Sequence, residues 1–220
     1  NTYAHLYRTP QSPDWNYQFI IDAFDTGEKD TTAGKPFEID LEKISLDQVR
    51  FHMNDAWAGS DINLDIGSAA LDIHTLDIKR KKLDADGINI GGTTVYVRNY
   101  AGGKPKSTVP RAPYIDTTPF NPGCWTVSVN NLALEESIFR LDANDRPPTP
   151  DAFDPAHMDI REIILHAAGI TIEGDTIRGS INQMAAKERS GFVLKKFRSD
   201  VSVSPNASIC NDLYIETNNS

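Results

Sequence analysis

One spaced apolar motif, apolar-x-apolar-x-x-apolar-x-apolar, occurs four times in the sequence. It reads Ile39, Leu41, Ile44, Leu46, and then Leu71, Ile73, Leu76, Ile78. It returns as Val127, Val129, Leu132, Leu134, and as Met158, Ile160, Ile163, Leu165. The third copy follows the first by 88 positions, and the fourth follows the second by 87. A fixed period marks a repeat architecture, in which each unit buries its apolar face against its neighbours. Within each half of the motif the period is 2, which is that of a half-buried strand. The extra residue in the middle would turn every later side chain to the wrong face unless a bulge or tight bend absorbs it. Slips at matching places therefore predict built-in bends, which curve the sheet or turn one strand into the next. Such a chain is expected to work through a long shaped surface rather than a compact active site.

The rest of the chain fits this frame. Ser12-Pro13-Asp14 is a helix start signal and predicts one short helix over residues 13–24, with Trp15 and Phe19 on its apolar side. A polar loop then completes an N-terminal section, residues 1–36. In a first β unit, residues 37–100, Phe37, Ile39 and Leu41 alternate with acidic residues. The phase breaks again at Asp47-Gln48, before Val49, Phe51 and Met53. Ile62, Leu64 and Ile66 read as a strand, followed by Leu71 to Ile78. Ile88 and Ile90 lead through Gly91-Gly92 to Val95 and Val97. Residues 101–123, rich in Pro, Gly, Thr and Lys, read as a connecting loop. A second β unit, residues 124–220, begins by replaying the first. Trp125, Val127, Val129, Leu132, Leu134 and Phe139 stand where Phe37, Ile39, Leu41, Ile44, Leu46 and Phe51 stood, while Ser137 replaces Val49. The expected fold is all-β apart from the short helix: one continuous domain, an elongated, curved, mostly antiparallel repeat sheet.

Composition removes several function classes. The net charge of −9 opposes nucleic-acid binding, which needs a basic stripe. No run of 18 apolar residues exists, so no membrane span is expected in this segment. The sequence starts at Asn1 without a basic-apolar leader, which predicts an excised or processed piece. Cys124 and Cys210 fit either a disulfide or two free thiols. The five histidines have no zinc-like spacing. Asp142, Asn144, Asp145, Asp151 and Asp154 miss the EF-hand pattern, with Arg146 at a ligand place and no glycine, and so read as a solvated loop. Gly102-Gly103-Lys104 lacks the spacing and hydroxyl of a phosphate loop, and no G-x-S-x-G is present. The expectation is no enzyme, no cofactor and no metal.

The runs FEIDLEKISLDQVRFHMNDAWAG, LDIHTLDIKRKKLDADGINIGG and FDPAHMDIREIILHAAGITIEGDTIRGSI resemble the strand repeats of the AsmA/TamB family of Gram-negative bacteria. So does the tail KERSGFVLKKFRSDVSVSPNASICNDLYIET, and YRTPQSPDWNYQFIIDAF resembles a stretch of the long TamB-like members. The resemblance implies a segment of an inner-membrane-anchored protein that projects through the periplasm. Its sheet would fold along its length into a trough, or β-taco, with an apolar inner face. It implies phospholipid or acyl chains as ligand, carried between inner and outer membranes. It also implies support of outer-membrane assembly with a barrel partner, engaged through regions absent here. The lipid-groove candidates are Phe37, Ile39, Leu41, Ile44, Leu46 and Phe51 in the first run, and Ile73, Leu76 and Ile78 in the second. In the second unit they are Trp125, Val127, Val129, Leu132, Leu134 and Phe139, then Ile160, Ile163 and Leu165. Such a lining would stabilise a buried acyl chain by roughly 0.8 kcal/mol per methylene. The alternative is a non-enzymatic β-scaffold with a closed core and no lipid, which binds protein partners such as outer-membrane strands by edge pairing.

Overall fold

The computed structural model describes residues 2–18, 42–105, 119–144, 146–150 and 152–218. Among these described residues there are ten strands in chain order: β1 (Thr2–Arg8), β2 (Lys43–Asp55), β3 (Ser60–Asp77), β4 (Lys82–Gly91), β5 (Thr94–Asn99), β6 (Thr126–Ala143), β7 (His157–Glu173), β8 (Thr176–Glu188), β9 (Val193–Ser204) and β10 (Ala207–Thr217). All belong to one sheet in the order β1-β2-β3-β4-β6-β7-β8-β9-β10, with β5 paired to β3 and β6.

These pairings close a small ring of four strands, β3-β4-β6-β5. Its nature follows from which edges are used. β2 pairs with residues 60–72 of β3, so both β4 (on 68–77) and β5 (on 60–65) take the opposite edge of β3. Likewise β7 takes one edge of β6, and β4 and β5 take successive stretches of the other. β4 and β5 are thus two segments of one strand position, interrupted at Gly92 and Thr93.

The sheet is mixed: most of its pairings are antiparallel, as expected, but three are parallel. β1–β2, β4–β6 and β5–β6 are parallel, and the other pairings are antiparallel. A parallel neighbour needs a long crossover, since a tight turn can only reverse the chain. Both parallel junctions follow long connections, from Arg8 to Lys43 and from Asn99 to Thr126.

The phase slips at residues 47–48, 74–75 and 161–162 lie inside strands rather than at turns between them. Gln48 has φ 49° and falls between the pairs Asp47–Ser68 and Val49–Ile66, opposite Gly67. Gly67 in turn faces the break at Gly92, whose φ is 58°. Beside that break on β6 lies Glu136, φ 49°, and beyond it on β7 lies Glu162, φ 50°. A row of left-handed kinks therefore crosses the sheet from β2 to β7. Only glycine fits at 67, because an added Cβ would lie 2.9 Å from the carbonyl oxygens of Gly91 and Gly92.

Register also corrects the repeat. β2 and β6 match at a spacing of 88 positions: Met53 pairs with Ile62, and Leu141 with Met158. The fourth motif copy therefore occupies the place of Ile62, Leu64 and Ala69, not that of Leu71 to Ile78. The connection between β6 and β7, residues 144–156, is longer than the turn at residues 56–59, and this difference shifts the spacing. The 87-residue interval is a coincidence of two alternating patterns.

Of the expected N-terminal helix, residues 13–17 are not helical, Gln18 is, and residues 19–24 lie outside the described residues. Ser12 Oγ accepts the Asp14 N–H at 3.1 Å, a local turn that competes with a helix cap. The chain preceding it forms β1, which the sequence pattern did not announce.

Candidate binding surface

Residues directly opposite each other in neighbouring strands project from the same face. Following them across the sheet joins the apolar residues into ladders. One runs Leu46–Ala69–Ile90–Leu134–Leu165–Met184–Phe197–Ile215, from β2 to β10. Another runs Ala4–Phe51–Leu64–Val95–Phe139–Ile160 and ends on Glu188. A third is Ile44–Leu71–Ile88–Leu132–Ala167–Ile181, and a fourth Leu76–Leu83–Val127–Ile172–Ile177–Val203. The short ladder Ile73–Ala85–Val129–Ile170 lies between these two. One face of the sheet is thus largely apolar, interrupted by Ser137, Ser199 and Glu188.

Most of the residues singled out in the sequence meet on this face: Ile44, Leu46, Phe51, Ile73, Leu76, Val127, Val129, Leu132, Leu134, Phe139, Ile160 and Leu165. Ile163 joins them opposite Ser137, which is buried and donates its Oγ–H to the Glu135 carbonyl at 3.0 Å. Two candidates do not. Ile78 lies past the end of β3 and is 56% exposed. Trp125 precedes β6, and its backbone is held by the Asn121 side chain at 3.0 and 2.8 Å. Both stand at strand ends, where the period-2 pattern continues in sequence after the ladder has stopped. Phe37, Ile39 and Leu41 lie outside the described residues. Met53, Ile62, Leu64, Val95, Val97 and Leu141 belong to the face but were not singled out, although their alternation was visible.

Few of the described ladder residues are fully buried. Among the described residues the buried hydrophobic ones are Ala69, Ile73, Ala85, Val129 and Ala167. The larger side chains Phe51, Leu64, Val95, Phe139 and Ile160 are all only half-buried. Two shallow depressions of about 360 and 490 Å³ lie along the kink row. Gln48, Arg50, Asp65, Ile66, Gly67 and Gly92 line the first, and Glu136, Ile138, Arg161, Glu162 and Ile164 the second. None of these residues belongs to the ladders above.

Buried charge gathers at one end of the strands, where β2, β5, β6 and β8 finish. Arg8 grips Asp55 with two bonds of 2.6 Å and, with the Ala58 N–H, holds its carboxyl below the ordinary carboxylate range. Asp61 accepts from Arg98 at 2.8 Å and from the Tyr100 hydroxyl at 2.9 Å. Burial, and then Asp61, push the Tyr100 phenol up. Asp154 caps the N–H groups of Thr149 and Ala156, which lower its pKa. His157 donates to Asp142 at 3.1 Å and to the Arg146 carbonyl at 2.9 Å, and the Asp142 bond raises its pKa. Burial alone would raise Glu188, but the Ser190 hydroxyl and the N–H groups of Ser190, Asp159 and Arg189 bring it below the ordinary range. These groups tie loops to strand ends. Asp142 and Asp154 are thereby hairpin anchors rather than members of a solvated loop.

No protein-family model, curated protein or solved structure matches the chain.

Proposed function

We propose that the apolar face binds lipid acyl chains, without catalysis. The chain is then a segment of an AsmA/TamB-like periplasmic protein that carries phospholipid between inner and outer membranes of a Gram-negative bacterium. Through that bridge it supports outer-membrane assembly. The observation that carries this is the continuity of half-buried apolar ladders across the sheet. At about 4.8 Å per strand, the eight-residue ladder from Leu46 to Ile215 extends roughly 34 Å, comparable to the hydrocarbon thickness of a bilayer. The kink row runs parallel to the ladders, so folding along it would shape a trough whose length lies across the strands. An acyl chain in such a trough needs no polar partner, so one surface would accept many head groups.

Native mass spectrometry of gently purified protein tests this directly. Bound phospholipid or fatty acid is expected, and Leu134→Glu at the centre of the longest ladder is expected to abolish it while the sheet persists by circular dichroism. Lipid-free protein that also fails to take up a fluorescent fatty acid would sink the proposal.

A further inference from the structure

We infer that the tip of the turn between β3 and β4 docks this end of the sheet on a phospholipid bilayer that carries anionic head groups. Lys79, Arg80, Lys81 and Lys82 are four successive cations in a chain whose net charge is −9. All four are exposed. The Arg80 side chain stays 84% exposed although it pairs with Asp77 at 3.1 Å. The acidic residues on either side, Asp77 and Asp84, lie back on the strands, so the tip itself is positive. Asp175, in the turn between β7 and β8, accepts the Asn121 N–H at 3.2 Å.

The tip is held in shape by its own bonds. Asp77 Oδ1 accepts the Arg80 N–H at 2.7 Å, and Lys81 is left-handed with φ 54°. The Lys81 carbonyl accepts the Thr126 N–H at 2.8 Å, which sets the loop at residues 119–125 beside the cations. Asn121 fixes that loop in turn. Its Nδ2 donates to the carbonyls of Trp125 at 2.8 Å and Gly174 at 2.9 Å, and its Oδ1 accepts the Trp125 N–H at 3.0 Å. Each of the two segments presents a large apolar side chain, Ile78 at 56% exposure and Phe120 at 45%.

A preformed cationic tip flanked by exposed apolar side chains fits an interface where negative charge adjoins hydrocarbon. The surface of a bilayer with anionic head groups is such an interface. Nucleic acid offers phosphates but no hydrocarbon for Ile78 and Phe120, and the net charge opposes it. An acidic protein surface offers charge alone. Docking by the tip would stand the strands upright on the bilayer, with the ladder Leu76–Leu83–Val127–Ile172–Ile177–Val203 nearest to it.

Co-sedimentation with vesicles is the test. The protein is expected to bind phosphatidylcholine vesicles that contain phosphatidylglycerol, to leave pure phosphatidylcholine vesicles unbound, and to dissociate as salt is raised. Lys79→Gln together with Lys81→Gln is expected to weaken binding at least about tenfold, with an unchanged melting curve. Phe120→Ser is expected to weaken binding without altering its salt dependence. Binding to neither vesicle, equal binding to both, or binding that the double variant leaves intact would each overturn the inference. So would retention on immobilised polyglutamate without vesicle binding, which assigns the tip to an acidic protein. These substitutions lie off the apolar ladders, and lipid held there is read by native mass spectrometry, so docking and the acyl-chain proposal can fail separately.

Discussion

Gln48 on β2 and Glu136 on β6, 88 positions apart, have the same left-handed backbone, φ 49° in both, at the same height in the sheet. The two halves share a left-handed backbone conformation and not only a hydrophobic pattern. An L-residue with a Cβ is disfavoured there by roughly 1 kcal/mol. Replacing either with glycine is therefore expected to be neutral or stabilising by up to about 1 kcal/mol, whereas Gln48→Val, with its branched Cβ, should destabilise by about 1–2 kcal/mol. Chemical denaturation of the three variants checks this, and equal stability of Gln48→Val and wild type would count against a required kink.

Gly67 and Gly174 give a paired comparison. An alanine methyl at 67 meets two carbonyl oxygens at 2.9 Å, while at 174, φ 54°, it meets nothing within 4 Å. Gly67→Ala is expected to lower stability by about 2 kcal/mol or more, and Gly174→Ala by about 1 kcal/mol from backbone strain alone. Similar losses in both would show that the backbones at the kink row part easily.

His157 should make stability depend on pH. Asp142, Asp154 and the Arg146 carbonyl favour its charged form, so its folded pKa lies above the ordinary value near 6.5. The stabilisation is complete below that ordinary value and is lost as pH rises through the raised folded pKa. Melting temperature is expected to fall between mildly acidic and mildly alkaline pH, and His157→Asn should flatten that slope. An unchanged slope in the variant would assign the effect elsewhere.

Arg8 and Asp55 fasten β1 to the sheet. Asp55→Asn is expected to speed amide exchange across Thr2–Arg8 while leaving β6 and β7 protected. Because the Asp55 pKa is lowered, the same loosening should appear in wild type as pH falls through that folded pKa, the stabilisation being complete above the ordinary carboxylate value. Exchange that rises uniformly across all strands would instead mean that β1 opens only with the whole sheet.

Much of the apolar face was legible because Val127, Val129, Leu132 and Leu134 alternate, and the slip after Val129 sits where the strand needs it. The breaks at Gln48 and Glu162 were legible for the same reason: an alternating pattern makes any inserted residue visible. β1 was not, since Ala4 and Leu6 are too few and too small to stand out among Tyr3, His5 and Tyr7. The parallel junctions were not legible either. Strand direction is set by how far the chain travels between elements, and residues 101–123 signal a long connection without saying where it lands. His157 was hidden because burial of a histidine at the start of a strand depends on Asp142 and Arg146 approaching it from elsewhere.

The parallel junction at β6 has a consequence of parity. Each unit, β2-β3-β4/β5 and β6-β7-β8, has three strand positions, so it ends pointing the way it began. In a wholly antiparallel sheet the next unit would start upside down, and successive units would exchange their ends. The parallel step restores direction, so Asp55, Asp61, Asp154, His157 and Glu188 all collect at one end and the short turns at residues 78–81, 174–175 and 205–206 at the other. The sheet is therefore polar from end to end, and anything moving across its strands keeps the charged end on the same hand throughout.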